Sequence, residues 1–186
     1  AMNVIRRVET IGHHESLDII IERLGENCAR KITASKAKDI EAKTGEENAK
    51  FMKQHGLQET AGEKAAFMAV VGTLLPKRAA DACWFKMLHV KKQHGWRWQS
   101  DLLAAMVGQS ITWMTVLKDR FPTLTPSSPI LVLHRGRAFL VGGLLSLAVQ
   151  GMQQHECEHM QLATLSETMQ QNVAGNGFST NVCTAF

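Results

Sequence analysis

Three of the chain's four prolines, Pro122, Pro126 and Pro129, fall within eight residues. Proline fixes its φ and brings no N–H, so neither a helix nor a central strand runs through such a stretch. Pro122–Pro129 therefore reads as a loop, and as the place where two packed units would meet. A chain of 186 residues is large enough for one real core without disulfide or metal staples. A single domain with a sub-boundary at 122–129 is the expected organisation.

On the N-terminal side of that break the pattern reads as helices. Leu17, Ile20, Ile21 and Leu24 recur at helical spacing after Ser16, and that helix should run to about Lys31. A short polar helix capped by Ser35 should end near Gly45, and a second, Glu46–His55, should stop at Gly56. Lys64–Leu75 is apolar on nearly every side, as a buried central helix would be. Lys77–His94 follows Pro76 and closes at Gly95. The spacing of Leu103, Met106, Val107, Ile111, Met114 and Leu117 predicts one more helix, capped by Ser100 and ending at Arg120.

Beyond the break, Ile130–Leu133 and Ala138–Val141 flank a Gly-containing turn and read as a β-hairpin over about 130–141. A long C-terminal helix, about 144–172, should follow Gly142-Gly143, with residues 175–186 as a flexible tail. The packing residues point the same way: 45% of the chain is apolar, only 6% aromatic, and tyrosine is absent. Leu, Ala, Met and Val suit helix against helix better than strand against strand. The expected fold is mainly α, a bundle of about six or seven helices with a short hairpin before the last.

The long helix carries Gln154-His155-Glu156-Cys157-Glu158-His159. Histidines four apart share one helix face, and the glutamate beside the first can reach a water held between them. That is the arrangement by which a zinc hydrolase assembles its metal and its general base. Leu145, Ala148, Met152 and Leu162 lie near the same side, so His155 and His159 should point inward. The form Q-H-E-x-[acid]-H resembles the third motif of peptide deformylases over about fifteen residues. That resemblance implies His155 and His159 as zinc ligands and Glu156 as the base. The family's glycine-rich segment and its cysteine-bearing E-G-C-L-S segment are absent here. No third ligand is indicated either: Glu167 is two turns on, about 12 Å along the helix axis.

Charge marks a second region. Lys77, Arg78, Lys86, Lys91, Lys92 and Arg97 stand against Asp81 alone, which leaves residues 77–98 at +5 and the rest of the chain, with 15 bases and 16 acids, at −1. A surplus confined to one segment is what an electrostatic footprint for an anion looks like. Trp96-Arg97-Trp98 adds stacking surfaces beside a guanidinium, which suits nucleic acid or an acidic protein surface. The plainer account gives Cys83, Trp84, Met87, Leu88 and Val90 the buried face and the lysines the solvated one. Lys36–Lys53 has loose helix-turn-helix spacing, but Glu41 stands where a small residue is wanted, and Glu46-Glu47 would face phosphates.

The remaining features exclude more than they assign. Phosphate-cradling, dinucleotide and serine-elbow motifs are missing. The four cysteines show no paired spacing, which suits free thiols in a reducing cytoplasm. No apolar run approaches the ~20 residues of a membrane span, and no signal peptide is visible. Cys183-Thr184-Ala185-Phe186 has the outline of a prenylation box, but Thr184 is not aliphatic and no polybasic run precedes it. The leading expectation is a small cytoplasmic regulatory or accessory protein. It would bind an anionic partner through Lys77, Arg78, Lys86, Lys91, Lys92, Trp96, Arg97 and Trp98, with no cofactor. The alternative is a zinc-dependent hydrolase built on His155, Glu156 and His159.

Overall fold

The computed structural model describes residues 38–125, 129–152 and 154–176. The helix expected at 16–31, the tail beyond 176 and the terminal CTAF lie outside those residues. The chain divides into two compact units. The described part of one comprises 38–122 and 129–140; that of the other comprises 123–125, 141–152 and 154–176.

The first unit contains helices α1 (Lys38–His55), α2 (Ala61–Val71) and α3 (Lys77–His94) and strands β1 (Leu103–Met106), β2 (Val116–Lys118), β3 (Ile130–His134) and β4 (Arg137–Leu140). The strands form one antiparallel sheet in the order β2-β1-β3-β4. This overturns the mainly α expectation: the fold is mixed α and β, and the hairpin at 130–141 is half of a four-stranded sheet.

The largest departure is at 100–120, where two strands replace the expected helix. In β1, Leu103 pairs with Leu133 of β3 and with Lys118 of β2, while Ala105 pairs with Leu131 and Val116. Leu103, Ala105, Leu131, Leu133 and Leu140 face the helices in one buried cluster. Ala104, Met106, Val132 and Phe139 on the opposite face are buried too. A strand covered on both faces reads as a continuous apolar run, and such a run satisfies a helical stripe as readily. The chain leaves β1 at Gly108, where a Cβ would stand 2.9 Å from Pro129 Cδ. Val107 N–H donates to the Pro129 carbonyl at 3.0 Å, so the end of the proline-rich stretch lies against this turn.

β3 and β4 join through Arg135 and Gly136, with φ of +49° and +74°. Two positive φ values in a two-residue connection match the twist of the flanking strands, which is why the hairpin closes so tightly.

The helices also differ from expectation in extent. α1 runs through Gly45 as one helix; Gly45 is exposed and costs the helix only about 1 kcal/mol. It ends at Gly56, in the left-handed region at φ +56°, as expected. α2 begins and ends earlier than 64–75 and buries only Phe67 and Val71. The central helix is α3 instead. Ala80, Ala82, Cys83, Trp84, Phe85, Met87, Leu88 and Val90 are all buried, and together they occupy most of its circumference. Gly95, at φ +72°, closes it with its N–H on the Lys91 carbonyl.

In the second unit the long C-terminal helix breaks into α4 (Gly143–Val149), α5 (Gln154–His159), a 3-10 turn at Leu162–Thr164 and α6 (Glu167–Asn176). Gly151 at φ +91° and Gln161 at φ +52° interrupt the helical path. Ser166 starts α6 afresh, its Oγ accepting from Met169 N–H at 3.4 Å. The break lets α6 fold back on α4 and bury Leu147, Cys157, Leu162 and Ala174 together. No described helix is long and apolar enough to cross a membrane.

Candidate functional site

Because α3 is buried around most of its girth, its exposed basic residues are confined to its two ends. Lys77 and Arg78 are exposed at the N-terminal end, and Lys91, Lys92 and His94 at the C-terminal end. At 1.5 Å per residue the two groups stand about 20 Å apart, so the segment does not present one basic face.

Lys86, between them, is drawn inward. Its ammonium lies 5.5 Å from the centre of the Phe51 ring and donates to the Ile111 carbonyl at 3.4 Å. Burial lowers its pKa. Trp98 is buried too, edge-on to Phe67 at 5.4 Å, and belongs to the core. The interleaved Trp96 and Trp98 thus divide between surface and interior, which their spacing alone does not reveal.

The C-terminal end holds what remains of the predicted surface. His94 and Trp96 stack with ring centres 4.6 Å apart and planes 30° from parallel. Gly95 makes this stack feasible by turning the chain through the left-handed region between the two rings. The Arg97 side chain beside them is exposed. Its backbone N–H is occupied by Asp101 Oδ2 at 2.6 Å, which fixes the turn and leaves the guanidinium to solvent. Lys91 meets Glu63 at 2.6 Å and holds that carboxyl below its ordinary pKa. Lys92 donates to the carbonyls of His55 and Gly56 at 2.8 and 2.9 Å, closing the end of α1. Glu63, Lys91, Trp96, Arg97 and Trp98 line a depression with room for about one water molecule. A partner would therefore lie over this end of α3 rather than enter it.

The motif at 155–159 falls on α5, a helix of only six residues. The His155 side chain lies outside the described residues. Glu156 is half-buried and has an interaction partner, Cys157 is buried, and His159 is exposed where an inward position was expected. Among the described residues no three His, Cys, Asp or Glu side chains gather in a way that would hold a metal ion. Cys83 is no nucleophile in this state: full burial in the core raises its thiol pKa to about 12.

One cluster was not singled out from the sequence. His55 of α1 and His89 of α3 face each other with ring centres 4.3 Å apart, and Phe51 packs against both at 4.4 and 5.2 Å. The signal was present, because Phe51 and His55 are four apart on α1 and so share a face. What they faced required the tertiary fold.

No family model matches the chain, and neither a curated protein nor a solved structure does.

Proposed function

We propose that the chain is a binding module for an anionic partner, and that its contact surface is the C-terminal end of α3 with the turn after it. Lys92, His94, Trp96 and Arg97 form that surface. The supporting observation is the His94–Trp96 stack standing beside the exposed Arg97, with the two acids near it already paired, Glu63 with Lys91 and Asp101 with Lys118. A flat stack next to a guanidinium matches the faces of unpaired bases and the phosphates between them. Of the two partner classes, single-stranded nucleic acid therefore fits better than an acidic protein surface. Lys77 and Arg78, at the far end of α3, would add only long-range attraction. The zinc reading of His155, Glu156 and His159 stands on the sequence motif alone.

Titration of the protein with a fluorescent single-stranded oligonucleotide and with polyglutamate, at 50 and 200 mM salt, tests this. The oligonucleotide is expected to bind more tightly, with affinity falling steeply as salt rises. Trp96→Ala should remove about 1–3 kcal/mol of binding, the usual worth of one stacked base. Arg97→Glu should weaken binding further and reduce the salt slope by about 1. Binding that survives both changes at full strength, or that ignores salt, sinks the proposal; preference for polyglutamate would transfer the surface to an acidic protein partner.

A further inference from the structure

The Phe51–His55–His89 cluster is the main aromatic contact between α1 and α3 in the described structure. Both ring nitrogens of His89 are closed off from solvent and meet no hydrogen-bond partner among the described residues. A buried imidazole without an acceptor is tolerable when neutral and costly when charged, because the charged form loses its hydration and gains nothing in return. The charged and titratable groups acting on it are His55 from α1 and Lys86, His94 and Lys92 from α3. Every one of them is a base, and no carboxylate among the described residues offsets them.

We propose that this three-ring cluster is an acid-sensitive clasp that holds α1 on α3 at neutral pH and releases it when the histidines take up protons. Protonating His89 places an unsolvated charge against His55, and protonating both places two like charges on rings in contact. Phe51 can only pack against them, and Lys86 and Lys92 add to the repulsion. The least costly response is for α1, whose contacts with α3 include this cluster, the Lys86 ammonium over Phe51 and the Lys92 hydrogen bonds, to lift away and let the imidazoles reach water. That movement would also take the His55 and Gly56 carbonyls from Lys92, returning its ammonium to solvent. The clasp stands whether or not the end of α3 binds an anion.

The direction of the pH dependence follows from the same surroundings. Burial first, and then the basic neighbours, hold the His89 pKa below the ordinary 6.5. The released form therefore takes up the proton before the docked form does. Docking is fully favoured above about pH 6.5 and weakens as pH falls through that value toward the lower docked pKa. The paired carboxyls of Glu63 and Asp101 respond in a separate window, because their partners hold them below 4.5 and 3.8.

Nuclear magnetic resonance of the full chain between pH 7.5 and 5.5 tests the clasp. The His89 ring signals should titrate below 6.5. The amides of 46–57 should lose up to about tenfold in hydrogen-exchange protection as pH falls from 6.5 to 5.5, after correction for intrinsic rates, while those of β1 and β3 hold. His89→Phe keeps a ring in the cluster and removes the charge, so α1 should stay protected at pH 5.5. Should that variant misfold, the titration of the unaltered chain decides alone. Protection of 46–57 that persists while His89 titrates, or that falls equally in His89→Phe, overturns the proposal.

Discussion

Trp84→Ala is expected to cost the folded state about 3–5 kcal/mol, the range for removing a fully buried large aromatic. Trp84 is only 1% exposed and lies in the middle of the most enclosed helix, its ring 5.4 Å from that of Phe67. Its neighbours cannot close over the space, because α3 is held on one side by the sheet cluster and on others by α1 and α2. A domain of this kind has about 5–15 kcal/mol in total, so one substitution consumes a large share of it. The indole N–H donates to Glu59 Oε2 at 3.1 Å, yet that hydrogen bond is the smaller part. Glu59 is partly in solvent and also meets Lys64 at 3.3 Å, so losing the donor strands no buried acceptor. Trp84→Phe should accordingly cost only about 1–2 kcal/mol. Urea unfolding followed by circular dichroism separates the two, and a Trp84→Ala variant within 1 kcal/mol of the parent would show that α3 is not the centre of the core.

The position of α3 also explains which parts of the fold were legible in the sequence. Its ends were readable because Pro76 and Gly95 act locally: one presets the entry and the other supplies a left-handed exit. The β3–β4 hairpin was readable for the same reason, through Gly136. Which helix would be central was not readable. Lys64–Leu75 looked more buried than Lys77–His94 because its residues are more apolar, but those around Phe67 are chiefly alanines that face solvent. All the lysines of α3 but Lys86, by contrast, sit at its ends, where a buried helix can still reach water. The strands at 103–118 were hidden by two-sided burial, which removes the alternation that distinguishes strand from helix.

The candidate surface was legible in kind but not in extent. Counting charges located the basic segment, and only the fold could withdraw Lys86 and Trp98 from it and separate Lys77 from Lys91. The break in the C-terminal helix was the hardest to foresee. Gly151 alone would only have weakened a helix, and Gln161 is not a residue type that announces a left-handed turn.

That break makes Gly143 the most demanding position in the second unit. Once the chain folds back, α6 crosses α4 so closely that a Cβ at Gly143 would fall on the Gln170 Cβ. It would also stand 2.7 Å from Gln170 Oε1 and 3.2 Å from the Gln171 backbone nitrogen. Gln170 is not free to swing aside. It is buried, and its amide donates to the Leu162 and Leu165 carbonyls at 2.9 and 3.1 Å, tying the 3-10 turn to α6. Gly143→Ala must therefore either push α6 off α4 or break those two hydrogen bonds. Overpacking of this kind costs about 1–3 kcal/mol, and stranding buried carbonyls adds a comparable amount. The expected result is a loss of about 100-fold in the amide-exchange protection of α6, equivalent to roughly 2.7 kcal/mol. Gln170→Gly removes the atom that the new methyl would strike, at the expense of the two hydrogen bonds. If the steric account is right, the double variant should be less destabilised than the sum of the single changes by about 1–3 kcal/mol. Simple additivity would mean that the new methyl does not strike Gln170 and that the closeness of α4 to α6 is not what requires Gly143.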